Sequence, residues 1–408
     1  MTSLQLRRAL GTSALAGLVG AMQTAPAAAD RSFDTERHQV QVETIVEGLE
    51  HPWGLALLPD GRFLVTERDS GRLQLGTPGG QLSGPIPGVP EIFRYEGETG
   101  RSQAGLFDVE LHPDFAENRL VYLSFSKPTE RGTGTAIVRG RLVEEAQSVR
   151  LEDVEDVFEM KPEDQDSSGL HFGGRMAFHP KDGSLFLTIG ERRNISRAQD
   201  ADDQAGSIIR VMDDGSVPDD NPFVGDDDKD DKIWSWGHRN PQGLAVHPET
   251  GELWAVDHGP SGGDRIDRIE AGSNYGWPYL TSGTDYSGAP LGEGTERAGM
   301  VSAVHWFEET VAPSGLAFYT GDLFPEWQGD MLIGGLTARA LVRVSVDGSE
   351  VTGEEWMLED LNRRIRDVQV ADDGAIWLLT EHEDGEVLRL TPAREEVAAD
   401  EGEAPPAQ

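Results

Sequence analysis

No cysteine occurs anywhere in the 408 residues, which excludes disulfides, thiolate metal sites, cysteine nucleophiles and a lipid-modified N-terminal cysteine. Basic residues are scarce: 35 Lys+Arg stand against 73 Asp+Glu, a formal net charge of −38. An acidic coat of that kind repels nucleic acid and anionic lipid, so neither is an expected partner. Beyond the first thirty residues no apolar run reaches the length of a membrane span. Apolar spacing at i, i+3 and i+4 is nearly missing, which argues against long helices. Nor is there a GxSxG elbow, a Walker loop, an HExxH helix or a dinucleotide fingerprint.

What is present begins with a leader. Arg7 and Arg8 precede an apolar run from Ala9 to Met22, and Ala27-Ala28-Ala29 offers a small-residue cleavage site. This predicts a secretory signal peptide over 1–29 and a periplasmic or secreted mature protein with no membrane span. The acidic, Pro/Ala-rich stretch 393–408 predicts a disordered tail, leaving 30–392 as one domain. Asp226-Asp227-Asp228-Lys229-Asp230-Asp231 lacks the Gly and terminal Glu of an EF-hand loop, so an exposed turn is expected there.

Between leader and tail one unit recurs six times: a short apolar strand, a His-Pro or Asp-Gly turn, and a second strand. The copies start near Gly54, Asp108, Arg175, Leu244, Gly315 and Asp367. Their spacing, about 50–70 residues, lies at or above the longest repeat periods of propellers. Six four-stranded units around a channel protect nearly all sheet edges, so the expected fold is an all-β, six-bladed β-propeller. Gln39 to Ile45 alternates in polarity and is expected to close the ring as an outer strand of the last blade. A two-domain sandwich competes less well with six related hairpins.

Chemistry gathers just before or after these hairpins, most densely in Ile233 to Gly276. His171, followed by Phe172-Gly173-Gly174-Arg175, suits a general base, or else a loop histidine that merely hydrogen-bonds. Arg239, with Asn240 and Gln242 beside it, is a fixed cation for a ligand or a channel arginine paired with an acid. Arg364 and Arg366 fall on one face of an extended segment. They fit a bound carboxylate or phosphate, or an ion-pair ladder with Asp367 and other acids. The Gly259-Pro260-Ser261-Gly262-Gly263-Asp264 turn combines carbonyls and a carboxylate, which suits a hard cation. His112, His179 and His247 sit in repeated His-Pro turns and read as structural.

These motifs, in order, are Gln103-Ala104-Gly105-Leu106, His171 to Arg175, Gly237 to Gly243, Gly259-Pro260 with Asp264, Asn274 to Pro278, and Arg364 to Val368. Together they resemble the soluble, pyrroloquinoline-quinone (PQQ)-dependent aldose sugar dehydrogenases, relatives of soluble quinoprotein glucose dehydrogenase. The resemblance runs from about Val42 to Leu390. It implies PQQ and Ca²⁺ as cofactors, aldose sugars oxidised at C1 to the lactone, and an external electron acceptor, in a monomer or homodimer. By the same resemblance His171 is the base and Arg239 the cation beside the quinone. Asn240, Arg364 and Arg366 bind the cofactor, Gln103 faces the substrate, and Gly259, Pro260 and Asp264 hold or support calcium. Leu170 replaces an acid found in glucose dehydrogenase proper. A family lysine is missing around Leu336 to Arg339, where Arg339 is the available substitute. Gly190-Glu191-Arg192-Arg193 also departs from the family's acidic-glycine loop. A calcium-dependent lactonase and a non-catalytic binding propeller are the competing expectations.

Overall fold

Turn chemistry cuts this chain into hairpins. In Leu58-Pro59-Asp60-Gly61, Gly61 takes φ +82° and the Leu58 amide donates to the Arg62 carbonyl at 2.7 Å. A left-handed φ of that size favours glycine, so the Asp-Gly pair ends one strand and starts the next. The His-Pro turns close differently: His112 Nδ1 accepts the Asp114 amide at 2.9 Å, and His247 Nδ1 accepts that of Glu249 at 3.2 Å. These histidines are structural, as expected.

The computed structural model describes residues 31–95, 102–146, 148–348 and 350–393. The expected leader and, apart from Ala393, the expected tail lie outside them. The described residues form six sheets around a common axis, antiparallel but for one short pairing in blade 3, a six-bladed β-propeller. Blade 1 is Pro52–Leu57, Phe63–Glu67 and Arg72–Gly76; blade 2 is Leu106–Leu111, Leu120–Thr129, Gly132–Glu145 and Ser148–Glu159. Blade 3 is Met176–Phe178, Leu185–Ile189, Ser207–Val211 and Ile233–Trp236, with Ser273–Asn274 added in parallel. Blade 4 is Pro241–Val246, Leu253–Asp257, Arg265–Ile269 and His305–Trp306; blade 5 is Pro313–Phe318, Met331–Gly335, Leu341–Asp347 and Glu350–Met357. Blade 6 joins Ile365–Val370, Ile376–Thr380 and Gly385–Pro392 to Gln39–Leu49 and Arg31–Asp34 from the start of the chain. Val40 faces Pro392 and Val42 faces Leu390, so the ring closes through the segment expected to close it.

The blades are not uniformly four-stranded. Among the described residues blade 1 has three strands: Pro85 and Pro87 withhold amides from a fourth, while the Ser83 and Ile86 amides donate to the Leu75 and Leu73 carbonyls. Blades 3 and 6 have five. Among the described residues the one α-helix is the single turn Phe115–Asn118.

The core is distributed. Leu58, Leu64, Leu106 and Phe125 pack blade 1 on blade 2, and Ile45, Phe63, Trp377 and Leu379 pack blade 6 on blade 1. Equivalent apolar layers separate every other neighbouring pair. Each fully buried Leu, Ile or Phe contributes about 1.5–3 kcal/mol, so ring closure is driven by the blade interfaces. First strands of neighbouring blades touch all the way round, which brings the loops at their ends to one axial mouth.

Candidate functional site

At one end of the axis a cavity of about 210 Å³ receives side chains from all six blades or the loops entering them. Trp53 comes from blade 1, Phe107 from blade 2 with Gln103 just before it, and Phe172 and Gly173 from the approach to blade 3. Gln242 comes from blade 4, with Asn240 and His258 flanking its strands, and Leu336 and Thr337 follow the second strand of blade 5. Arg366 comes from blade 6, with Arg364 and Glu381 at the ends of its strands, and Arg68 follows the second strand of blade 1.

Its buried end is cationic. Glu381 Oε2 lies 2.7 Å from Arg364 Nη2 and 2.9 Å from Arg366 Nη2, while Oε1 lies 2.9 Å from Arg68 Nη1. Arg68 is also held by the half-exposed Asp69. Although burial alone raises a carboxylic acid, these three guanidinium groups hold Glu381 far below its usual range. Burial presses Arg366 down to about 10, helped by the charges of Arg68 and Arg364, and it stays cationic at neutral pH. Its Nη1 donates to Gln242 Oε1 at 2.9 Å, and its Nε, though buried, has no partner among the described residues. The ladder pairing runs to Glu381 rather than to Asp367. Asp367 points to the opposite strand face, onto Arg175 at 2.9 Å.

Next to Gln103 on the cavity wall stands His171. Its backbone amide donates to Gln103 Oε1 at 2.7 Å, and its Nδ1 is hydrogen-bonded to Glu191 Oε2. Nε2 has no protein partner among the described residues. Burial depresses the His171 pKa; Glu191 opposes that shift, while Arg239 and Arg193 add to it. Glu191 is below the usual carboxylate range: burial raises it, and His171 and Arg239 outweigh the burial. The Glu191 backbone amide donates to the Arg239 carbonyl at 2.9 Å, tying the two loops together.

Asp257 sets the neighbouring loop, taking the amide of Arg239 at 2.9 Å and that of Asn240 at 2.7 Å. Arg239 Nη1 then donates to the His258 carbonyl at 3.1 Å, and its Nη2 to the exposed Tyr286 hydroxyl at 3.0 Å. Asn240 Oδ1 accepts the Gly173 amide at 3.2 Å. His258 is pushed down to about 3 by burial and by Arg239 and Arg366, so it is a neutral donor to the Pro313 carbonyl.

The Gly259–Asp264 turn is built around one carboxylate. Asp264 Oδ1 accepts the Gly259 amide at 2.8 Å; Oδ2 accepts those of Val311 and Ala312 at 2.9 and 2.7 Å. Asp264 is therefore occupied as a clamp. A Cβ on Gly259 would lie 2.1 and 2.5 Å from the Gly262 and Gly263 carbonyl oxygens, so the turn is packed with carbonyls. No N–H among the described residues donates to the carbonyl of Gly259 or Pro260, which leaves both free for a cation.

Of the expected residues, Gln103, Asn240, Arg364 and Arg366 line the cavity. His171 and Arg239 do not line it but bond to lining residues, Gln103 and His258, and Gly259, Pro260 and Asp264 lie in the turn that follows His258. Arg339 does neither: it sits on an exposed turn at φ +54° and donates to Asn362 Oδ1 at 2.7 Å, while Leu336 and Thr337 face the cavity. Arg68, Glu191 and Glu381 are participants that the sequence reading did not assign. The departure at Gly190 to Arg193 is the one signal pointing to Glu191; no motif in the sequence marks Arg68 or Glu381. The acidic loop near Asp226 is a surface turn held by Lys229.

A six-bladed propeller whose axial mouth combines a cationic pocket, a histidine–carboxylate pair and a carbonyl-rich turn defines a class of propeller oxidoreductases. The chain belongs to the Glucose / Sorbosone dehydrogenase family, whose model matches residues 49–389. It is 41% identical to the aldose sugar dehydrogenase YliI of Escherichia coli K12 over 356 residues, covering 86% of this chain and 93% of that one. The apo-form crystal structure of the soluble aldose sugar dehydrogenase from E. coli superposes with TM-score 0.81 at 41% identity, covering 87% of this chain and all of that one. The PQQ-bound aldose sugar dehydrogenase of Streptomyces coelicolor superposes with TM-score 0.71 at 28% identity, covering 90% and 99%.

Proposed function

We propose that this dehydrogenase oxidises aldose sugars at C1 to the lactone, using PQQ and Ca²⁺ in the axial cavity and passing electrons to an external acceptor. The observation that carries the reading is the set of three guanidinium groups around the single Glu381 at the buried end of a cavity, in a chain of net charge −38. Positive charge concentrated in this way suits an acidic, carboxylate-bearing prosthetic group, and the Nε of Arg366, unpartnered among the described residues, is a donor left for it. Arg364, Arg366 and Asn240 would hold PQQ, and Arg68, already in the cluster, would share that role. The Gly259 and Pro260 carbonyls would hold Ca²⁺, with Asp264 keeping their turn in shape. When bound, PQQ supplies the two-electron acceptor for hydride, chemistry that no side chain offers.

The remaining work falls to the protein. Glu191 holds Nδ1 of His171 and so turns Nε2 toward substrate, where it takes the proton of the sugar C1 hydroxyl. Because burial keeps that imidazole neutral, it is ready as a base at neutral pH. Gln103, fixed by the His171 amide, lines the substrate side. Arg239 offers a fixed charge where negative charge develops. The leader expectation places this activity in the periplasm or the medium.

The test is titration of the purified protein with PQQ and Ca²⁺, followed by dye reduction with several aldoses. The reading expects reduction that requires both additions; none with any aldose would sink it. In His171→Ala, PQQ binding should persist while kcat falls about 10²–10⁴-fold, the usual worth of a general base. Wild-type turnover in that variant would remove His171 from the role.

A further inference from the structure

Beneath the loop carrying Arg239 and Asn240, a second polar cluster lies outside the cavity. His238, Asp257 and Asp267 are buried, and each offers a ligand atom within 4.8 Å of the others. His238 Nδ1 is 3.9 Å from Asp257 Oδ2 and 4.0 Å from Asp267 Oδ2. The backbone carbonyls of Tyr275 and Gly237 face the same point. Two carboxylates, two carbonyls and an imidazole form the donor set of a divalent-cation site.

A side chain fills the centre. Arg265 Nη1 donates to the Tyr275 carbonyl at 2.8 Å, and Nη2 lies 3.4 Å from the Gly237 carbonyl and 3.2 Å from Asp257 Oδ2. Its Nε lies 3.0 Å from Asp267 Oδ2. The fit is incomplete: among the described residues, none makes a well-aligned hydrogen bond to either Asp267 oxygen or to His238 Nδ1, all buried. One positive charge also faces two carboxylates. Burial pushes Asp267 up to about 7, and the charge of Asp257 adds to this against the pull of Arg265.

We propose that Arg265 is a built-in counter-cation occupying a latent divalent-metal site. Cutting the side chain back leaves a space lined by the same donors, where a dication can meet both carboxylates at once. The cluster is separate from the cavity, so metal binding there is measured without quinone.

The variant is Arg265→Ala, compared with wild type in Mn²⁺-binding stoichiometry and in thermal unfolding of the apoprotein. One additional Mn²⁺ equivalent is expected in the variant, abolished in Arg265→Ala/Asp267→Asn. Its lowered Tm should recover with Mn²⁺ by more than the wild-type Tm shifts. An arginine that only packs would give a lower Tm with no metal-dependent recovery, and that result overturns the proposal. Should the variant not fold alone, refolding with and without Mn²⁺ decides: recovery of folded protein with the metal supports the latent site, and none at any concentration refutes it.

Discussion

His171 shows how one side chain receives its properties from distant parts of the chain. Its preference for the neutral form comes from burial and from Arg239 and Arg193, while Glu191 alone favours the charged form. In Glu191→Gln that opposition is gone, so the pKa of His171 should fall further. The acid limb of the pH profile for kcat/KM, where protonation of the base stops turnover, should move to lower pH. The plateau of kcat should fall about 10²-fold because the ring loses its orienting partner. Profiles of the two proteins reconstituted side by side check both effects, and an unmoved acid limb would mean that His171 is not the group being titrated. Glu191 stands twenty residues from His171, and nothing in local patterning connects a strand-end carboxylate with a histidine in another loop. Arg364 and Arg366, two residues apart on one segment, were readable as a pair because strand alternation is local.

At the level of the strand, the third residue of the innermost strand sets how closely blades approach. It is Gly54 in blade 1, Gly243 in blade 4 and Gly315 in blade 5. A Cβ on Gly243 would lie 2.1 Å from the Ser314 carbonyl oxygen, and one on Gly315 would lie 2.7 Å from Asp367 Cα. Each glycine lets the next inner strand come close. Gly243→Ala should therefore force blades 4 and 5 apart and cost about 1–3 kcal/mol, as overpacking does elsewhere. Urea unfolding would show a lower midpoint with an unchanged slope; an unchanged midpoint would mean that the interface yields without strain. The Gly-Leu-Ala repetition is visible in the sequence, but the strand that each glycine faces belongs to another blade.

For the molecule as a whole, the axis is held by one buried arginine. Arg175 Nη1 lies 2.9 Å from both Asp108 of blade 2 and Asp367 of blade 6, and its Nε donates to the Gln242 carbonyl of blade 4. Asp367 in turn takes the Leu55 amide of blade 1, so several blades meet on one charge. Burial pushes Asp108 up to about 7 even with Arg175 pulling it down and Asp367 adding repulsion. Arg175→Met leaves two facing carboxylates and should destabilise the protein by about 3–5 kcal/mol, the usual result of removing one partner from a buried ion pair. A carboxyl whose folded pKa is raised favours the folded state at low pH and loses that benefit as pH rises through the folded value. Without Arg175 the folded pKa of Asp108 rises further, so the deficit should be larger at pH 8 than at pH 5. Denaturant unfolding at the two pH values measures it, and a pH-independent deficit would show that packing, not charge, was lost.

Strands, turns and the number of blades follow from the amino-acid order alone, because alternation, Asp-Gly turns and His-Pro turns act over a few residues. The closing strand was legible for the same reason, since Gln39 to Ile45 alternates like its eventual partner. Convergence of the site belongs to the tertiary structure. Arg68, His171, Glu191, Arg239, Arg366 and Glu381 lie far apart along the chain, and they share one mouth only because six inner strands pack round a single axis. Burial there, rather than residue type, decides which guanidinium lacks a partner among the described residues and which imidazole stays neutral.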